Sequence, residues 1–264
     1  MSSNLDDQYR LRKRPKSEML VDSGFKSLAV SLASVVALVL FAILIVVFQG
    51  GLPSMVRYGW EFLITSDWNP VDDEYGAGAA IYGTVITSIL SLFIAIPLGV
   101  GTAIFITENI IPKKIRNFIG LMVELLAAVP SVVLGLWAIF VMEPFIRPGL
   151  EMLYTYFGWF PLFSSPPMGP GTLPAVLILV VMILPIITAI SRDSLQQVPK
   201  RLTQAAYGIG TTRWGAIINV TLPAAISGIV GGVMLALGRA MGETMAVTMI
   251  IGNSNNFSFS LLAP

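Results

Sequence analysis

Residues 224–251 read AAISGIVGGVMLALGRAMGETMAVTMII, an apolar run broken by one arginine, Arg239, and one glutamate, Glu243. A membrane-crossing helix needs about 20 mostly apolar residues, and this run exceeds that. Working outward, four further runs qualify. Leu28–Phe48, Gly83–Ile106 and Thr172–Ile190 carry no charge, and Phe118–Met142 carries one, Glu124. Barrel strands are about 9–11 alternating residues, too short to match such runs. The sequence therefore reads as an all-α membrane protein, a polytopic helical bundle with five spans. A basic tail at 1–27 precedes a membrane domain at 28–264.

Composition supports this. Of 264 residues, 55% are hydrophobic and 12% are charged, against about 25% charged in soluble domains. Sixteen Lys and Arg against fifteen Asp and Glu leave a net charge of +1. No basic excess remains for nucleic-acid binding. There is no cysteine and no histidine, so disulfides, thiolate or imidazole metal sites and imidazole bases are excluded. No catalytic site, metal or cofactor is expected. The leader is too charged, and its apolar follow-on too long, for a cleaved signal peptide.

Charge bias sets the orientation. Thirteen Lys and Arg fall in the tail (Arg10, Arg12, Lys13, Arg14, Lys16, Lys26), the loop after the second span (Lys113, Lys114, Arg116) and the loop after the fourth (Arg192, Lys200, Arg201, Arg213). The opposite side holds Arg57 and Arg147 alone. The positive-inside rule then places the N-terminus in the cytoplasm. Aromatic residues in the outer loops, among them Tyr58, Trp60, Trp68, Tyr154 and Trp159, suit an interface belt.

Polar residues collect on helix faces. At 100° per residue, Gly228, Gly232, Ala236, Arg239, Glu243 and Ala246 share roughly 80° of arc. Glu124, Ala128, Ser131 and Gly135 share roughly 60°, as do Thr84, Ser88, Ser91, Ala95 and Thr102. Pro130 should kink the third span. Each stripe has two readings, close helix packing or a lined pathway. Arg239 and Glu243, spaced i,i+4, form either a self-neutralising pair or a pathway cation held by a carboxylate when no anion is present. Glu124 is either pathway-lining or a carboxylate that is protonated or snorkels.

The longest cytoplasmic connection, 192–223, carries the most specific pattern. Short helices are expected at Val198–Tyr207 and Thr211–Asn219, with Thr211 or Thr212 as an N-cap. Its apolar residues suit either an interfacial helix or a docking helix for a cytoplasmic partner. Gln204-Ala205-Ala206, three residues, Gly210, nine residues, then Val220-Thr221-Leu222-Pro223 resembles the coupling-loop signature of binding-protein-dependent ABC importers. That signature has Glu at Gln204 and Ile at Val220. Leu237 to Val247 (LGRAMGETMAV), followed by Ile251-Gly252-Asn253, resembles the fifth-helix signature of phosphate-specific transport permeases of the PstC type. Glu124 to Gly135 (ELLAAVPSVVLG) and, more weakly, Trp68-Asn69-Pro70 are similar as well.

The resemblance implies a MetI-like permease of the bacterial inner membrane. It also implies a homologous PstA-like permease, PstB-like cytoplasmic ATPases and an external PstS-like phosphate-binding protein as partners, besides membrane lipid. It implies a sixth span beyond Pro264. Arg239, Glu243, Glu124, Ser131, Thr84 and Ser88 are then the expected substrate path, and Gln204, Ala205, Ala206, Gly210, Leu222 and Pro223 the ATPase coupling loop. No lysine lies in a Gly-Lys-Ser/Thr setting, so ATP must be hydrolysed by a partner. Rival readings are a permease for another oxyanion such as sulfate or molybdate, an ion-coupled secondary carrier, and a membrane hydrolase built on Glu124 and Glu243.

Overall fold

The computed structural model describes residues 16–69, 71–108, 111–252, 254 and 258–263. Arg10, Arg12, Lys13 and Arg14 of the basic tail, with Pro70, Asn253 and Pro264, lie outside the described residues. The chain divides into two units, one through Phe62 and one from Leu63.

The first unit is helix α1, Lys16–Tyr58. The charge-free run at 28–48 is its middle. At 1.5 Å per residue its 43 residues span roughly 65 Å, about twice the hydrocarbon thickness, so the helix is longer than the apolar layer it would cross. Glu18 in the first turn and Arg57 in the last oppose the helix dipole. The Arg57 guanidinium lies 5.3 Å from the Tyr58 ring centroid, within cation–π range.

After a single turn, α2 (Glu61–Ile64), the second unit opens with a hairpin, β1 (Trp68–Asn69) against β2 (Glu74–Tyr75). Asn69 shapes the turn: its side-chain oxygen accepts from Val71 N–H at 3.1 Å, an Asx turn. The Trp68 and Tyr75 rings meet edge-on, 5.0 Å between centroids. Then follow α3 (Gly78–Thr107), α4 (Lys113–Ala127), α5 (Ser131–Trp137), a π-helical stretch (Ala138–Met142) and α6 (Glu143–Phe157). The chain continues through α7 (Thr172–Gln196), α8 (Lys200–Gly208), α9 (Arg213–Ala216), a second π-helical stretch (Ile217–Thr221), α10 (Leu222–Met241) and α11 (Met245–Ile250).

Five helical stretches among the described residues are long and apolar enough to cross a membrane: Glu18–Tyr58, Gly78–Thr107, Ser131–Phe157, Thr172–Gln196 and Arg213–Met241. Two differ in kind from the sequence expectation. Phe118–Met142 is not one helix. Proline lacks the N–H to continue a helix and pushes the residue before it out of the α region. Here α4 stops at Ala127 and α5 starts after Pro130, whose carbonyl accepts from Val133 and Leu134 at 3.0 and 3.2 Å. Pro130 thus breaks the span rather than kinking it, and the apolar stretch moves to Ser131–Phe157. Ala224–Ile251 is broken as well. Helix α10 ends at Met241 with Gly242 as its cap, and α11 resumes at Met245. In the loop between α7 and α10, Thr212 is the N-cap, its hydroxyl accepting from Gly215 N–H at 3.2 Å.

The core forms around α7. Its sequence, free of charge as far as Ser191, is enclosed on one side by α3 and α10, where Leu92, Ala95, Ile183, Ile187, Ala236 and Ala240 are buried together. On another side lie α5 and α11, with Leu134, Ile178, Met182, Ala246 and Ile250. Glycine permits the closest approach. A Cβ on Gly99 of α3 would lie 2.8 Å from Ile187 Cγ2 and 3.0 Å from its Cβ, and one on Gly232 of α10 would lie 3.0 Å from Ile190. The first N–H groups of α7 are met by the C-terminal segment: Thr172 donates to Ala263 O at 3.0 Å and Leu173 to Leu261 O at 2.8 Å, while Gly171 donates to Ile250 O at 2.9 Å.

Gly99→Ala forces apart β-branched packing, so we expect it to lower stability by about 1–3 kcal/mol. Gly101→Ala on the same helix meets nothing within 4 Å and should be neutral or gain up to about 1 kcal/mol from helix propensity. Thermal unfolding in detergent separates the two; equal effects would refute the packing account.

Candidate functional site

The residues expected to carry function fall into separate places. Helices α3 and α7 begin at one end of the second unit and finish at the other, and a cavity lies at each end.

At the starting end, a cavity of about 330 Å³ is lined by Glu243 and by hydroxyls including Thr84, Thr87, Thr172, Thr244 and Thr248. Glu243 is there because α10 has ended: with Gly242 as cap, the next residue swings off the helix. Its Oε1 accepts from Ala246 N–H at 3.3 Å, capping the first turn of α11. Its Oε2 lies 3.8 Å from Arg239 Nη2, an ion pair beyond hydrogen-bond distance. The Glu243 side chain is 8% exposed and that of Arg239 47%. Arg239 is therefore half uncovered on the surface of the unit, tethered from behind by a buried carboxylate. It does not line the cavity; its neighbour Ala240 does.

The stripes resolve mainly as packing. Gly228 abuts Ser194, and Gly232 abuts Ile190, while Ala236 is fully buried. These small residues serve the α7–α10 contact, and Arg239 stands apart from it. On α3 three of the hydroxyls turn to their own helix. Thr84 donates to Ala80 O at 2.8 Å, Thr87 to Gly83 O at 2.7 Å and Ser91 to Ser88 O at 2.9 Å. Such back-bonding leaves a hydroxyl less available to a ligand. Ser88 is buried, and its Oγ has no hydrogen-bond partner among the described residues.

At the finishing end lies a cleft of about 1090 Å³ containing Glu124, Arg192 and Gln204. Arg192, in the last turns of α7, donates from Nη1 to Glu124 Oε1 at 3.2 Å. It also donates from Nε to Asp193 Oδ1 at 3.3 Å. Because α4 stops before Pro130, Glu124 and Ser131 are on different helices, and the shared face inferred for them does not exist. Ser131 is the first residue of α5. Glu124, Ser131 and the Arg239–Glu243 pair thus do not converge on one site.

In the loop, Gln204, Ala205 and Ala206 occupy α8, and Gly210 turns the chain toward α9 at φ +85°. Leu222 and Pro223 open α10. Two residues escaped the sequence reading. Arg192 belongs to α7 rather than to a loop; its spacing from the apolar run could have shown this. Glu143 follows the run that was ended at Met142. Its Oε1 is buried without a hydrogen-bond partner among the described residues, close to where a Cβ on Gly169 would be, at 3.1 Å.

Residues 95–263 match the model of the family described as binding-protein-dependent transport system inner membrane component. The "Phosphate transport system permease protein PstC" of Mesorhizobium japonicum is 45% identical over 250 residues, covering 93% of this chain and 76% of that protein. The Pasteurella multocida protein of the same name is 40% identical over 265 residues, covering 96% and 82%. An inward-facing structure of the MetNI methionine ABC transporter aligns over 61% of this chain and 68% of that one, at 18% identity and TM-score 0.49.

The Glu124–Arg192 pair is partly solvated, with side chains 62% and 27% exposed. A double-mutant cycle of Glu124→Gln and Arg192→Gln, read by thermal unfolding, should give a coupling of about 0.2–1 kcal/mol. A value several times larger would contradict this description of the pair.

Proposed function

The chain belongs to the binding-protein-dependent transport system inner membrane component family, and we propose from this that it is a permease subunit of an ATP-driven importer of inorganic phosphate. The names of its relatives and the stretch Gly238-Arg239-Ala240-Met241-Gly242-Glu243-Thr244 favour phosphate over other oxyanions. Charge bias puts the N-terminus, the α7–α10 loop and the large cleft on the cytoplasmic side of the bacterial inner membrane.

The half-exposed guanidinium carries the reading. An arginine facing acyl chains costs about 2.5–3.5 kcal/mol on insertion scales. Arg239 is tolerable where it stands only if its open side meets protein or a water-filled path. A homologous PstA-like permease against that face provides both, with the path between the two subunits. Phosphate carries a charge of roughly −1.5 at neutral pH. A guanidinium offers it permanently charged, forked donors. Glu243, buried and 3.8 Å away, competes for the arginine and keeps the anion from being trapped. On this reading Thr84, which lines the cavity with Glu243, belongs to the outer approach, and Glu124, in the large cleft, to the inner one.

Transport is driven from the α8–α9 loop. Gln204, Ala205 and Ala206 dock a PstB-like ATPase, and Gly210, Leu222 and Pro223 set the angle at which the loop leaves and re-enters the bundle. A PstS-like protein delivers phosphate from outside.

Arg239→Gln should reduce ATP-driven phosphate uptake by the reconstituted complex to background while the complex still assembles; normal uptake by that variant refutes the reading. Gly210→Val places a β-branched residue at positive φ, costing roughly 1–2 kcal/mol. We expect fewer phosphates moved per ATP hydrolysed, and unchanged stoichiometry would remove the loop from the coupling path.

A further inference from the structure

The cavity at the start of α3 and α7 contains an acceptor for which the protein supplies no donor. Glu243 lines that cavity, and its side chain is 8% exposed. Its Oε1 is occupied by the Ala246 N–H. Its Oε2 lies 3.8 Å from Arg239 Nη2, too far for a hydrogen bond, and accepts none from any other described residue. The hydroxyl protons around it are committed elsewhere. Tyr82, Thr84, Thr87, Thr172 and Thr248 each donate to a backbone carbonyl. No lysine or arginine lines the cavity.

We propose that Glu243 selects the anion. It accepts a hydrogen bond from a P–OH group, so that the Arg239–Glu243 pair takes phosphate and rejects oxyanions without a proton, such as sulfate. This rests on the transport reading above, in which Arg239 meets the anion.

The selection follows from what each group can do. An ionised carboxylate has acceptors only. At neutral pH phosphate carries a charge of roughly −1.5, so every ion keeps at least one P–OH. Sulfate is fully ionised and keeps none. A guanidinium binds either ion through charge-assisted hydrogen bonds and does not tell them apart. An anion held on Arg239 Nη2 brings an oxygen against Glu243 Oε2, because the two side-chain atoms are only 3.8 Å apart. If that oxygen bears a proton, the carboxylate gains the donor it lacks. If the oxygen is bare, two like charges meet where little water screens them, and the acceptor stays unpaired. A repulsive element against the wrong ligand is a general source of specificity. Arg239 thus supplies attraction for oxyanions as a class, and Glu243 supplies the choice among them.

The test uses the complex purified in detergent without the external binding protein, whose own selectivity would mask that of the permease. Displacement of radiolabelled orthophosphate by arsenate, sulfate and monofluorophosphate is measured at about pH 8, above the second phosphoryl pKa. Fluorophosphate then matches hydrogen phosphate in charge and shape but has fluorine in place of the hydroxyl. Arsenate keeps its hydroxyl and should displace the label about as well as phosphate, whereas sulfate and fluorophosphate should do so at least about tenfold less well. Glu243→Gln retains an oxygen for the Ala246 N–H and turns an amide donor toward the anion, so the gap should narrow to within about twofold.

Equal displacement by fluorophosphate and arsenate in the parent overturns the proposal without any variant. A gap that persists in Glu243→Gln overturns it by placing the selection elsewhere. Should Glu243→Gln not assemble, the comparison of arsenate with fluorophosphate in the parent decides alone. Arg239→Gln separates the proposal from the reading beneath it. Undiminished orthophosphate binding by that variant, or none by the parent, refutes the transport reading and the proposal with it. Binding lost in Arg239→Gln beside an unselective parent refutes the proposal alone.

Discussion

In hydrocarbon an apolar helix gains little by exchanging lipid for another apolar helix, so association depends on how closely helices can approach. Helix α7 is the case in point. It carries no charge until Arg192, and α3 and α10 reach it through Gly99, Gly228 and Gly232. Each of these positions removes a Cβ that would otherwise hold the backbones apart. Both cavities follow from this contact, since one forms where α3 and α7 begin and the other where they finish.

The breaks in the helices matter as much as the contacts. Backbone N–H and C=O groups at membrane depth must be paired, and irregular segments are tolerated only inside protein or along a water-filled cavity. At the Gly242–Thr244 break the Glu243 carboxylate accepts the N–H of Ala246, in the first turn of α11. The same residue holds an arginine at 3.8 Å. Glu243 is therefore both a structural acceptor and the counter-charge of Arg239, and removing it would disturb both roles. At the start of α7, carbonyls of residues 250, 261 and 263 accept from the helix N-terminus. This pins the segment after α11 against α7 and closes one side of the hydroxyl-lined cavity.

Periodicity was a good guide to the small residues of a helix, though not to Arg239, which shares their arc on α10 and is half exposed, and a poor one across a break. The stripe Gly228, Gly232 and Ala236 lies wholly within α10 and faces α7 as its spacing implies. Extending it to Glu243 and Ala246 assumed an unbroken helix, and α10 ends before them. The same assumption joined Glu124 to Ser131 across Pro130. In both cases a local breaker, Gly242 or Pro130, overruled a 100° register. Arg192 went unrecognised as the partner of Glu124 because the two are 68 residues apart, and spacing carries no information at that range.

From its residues alone the chain is an all-α membrane protein whose last apolar run carries a cation and an acid i,i+4 apart. Length, hydropathy and charge bias are summed properties, and they survive errors in helix boundaries. Tertiary structure decided which of the polar residues are uncovered. It buried Glu243, left Arg239 half open, turned Thr84, Thr87 and Ser91 of α3 onto their own backbone and gathered Lys200 and Arg213 beside Arg192. Burial and proximity depend on which helix faces meet, and that is settled by close packing between segments far apart in sequence.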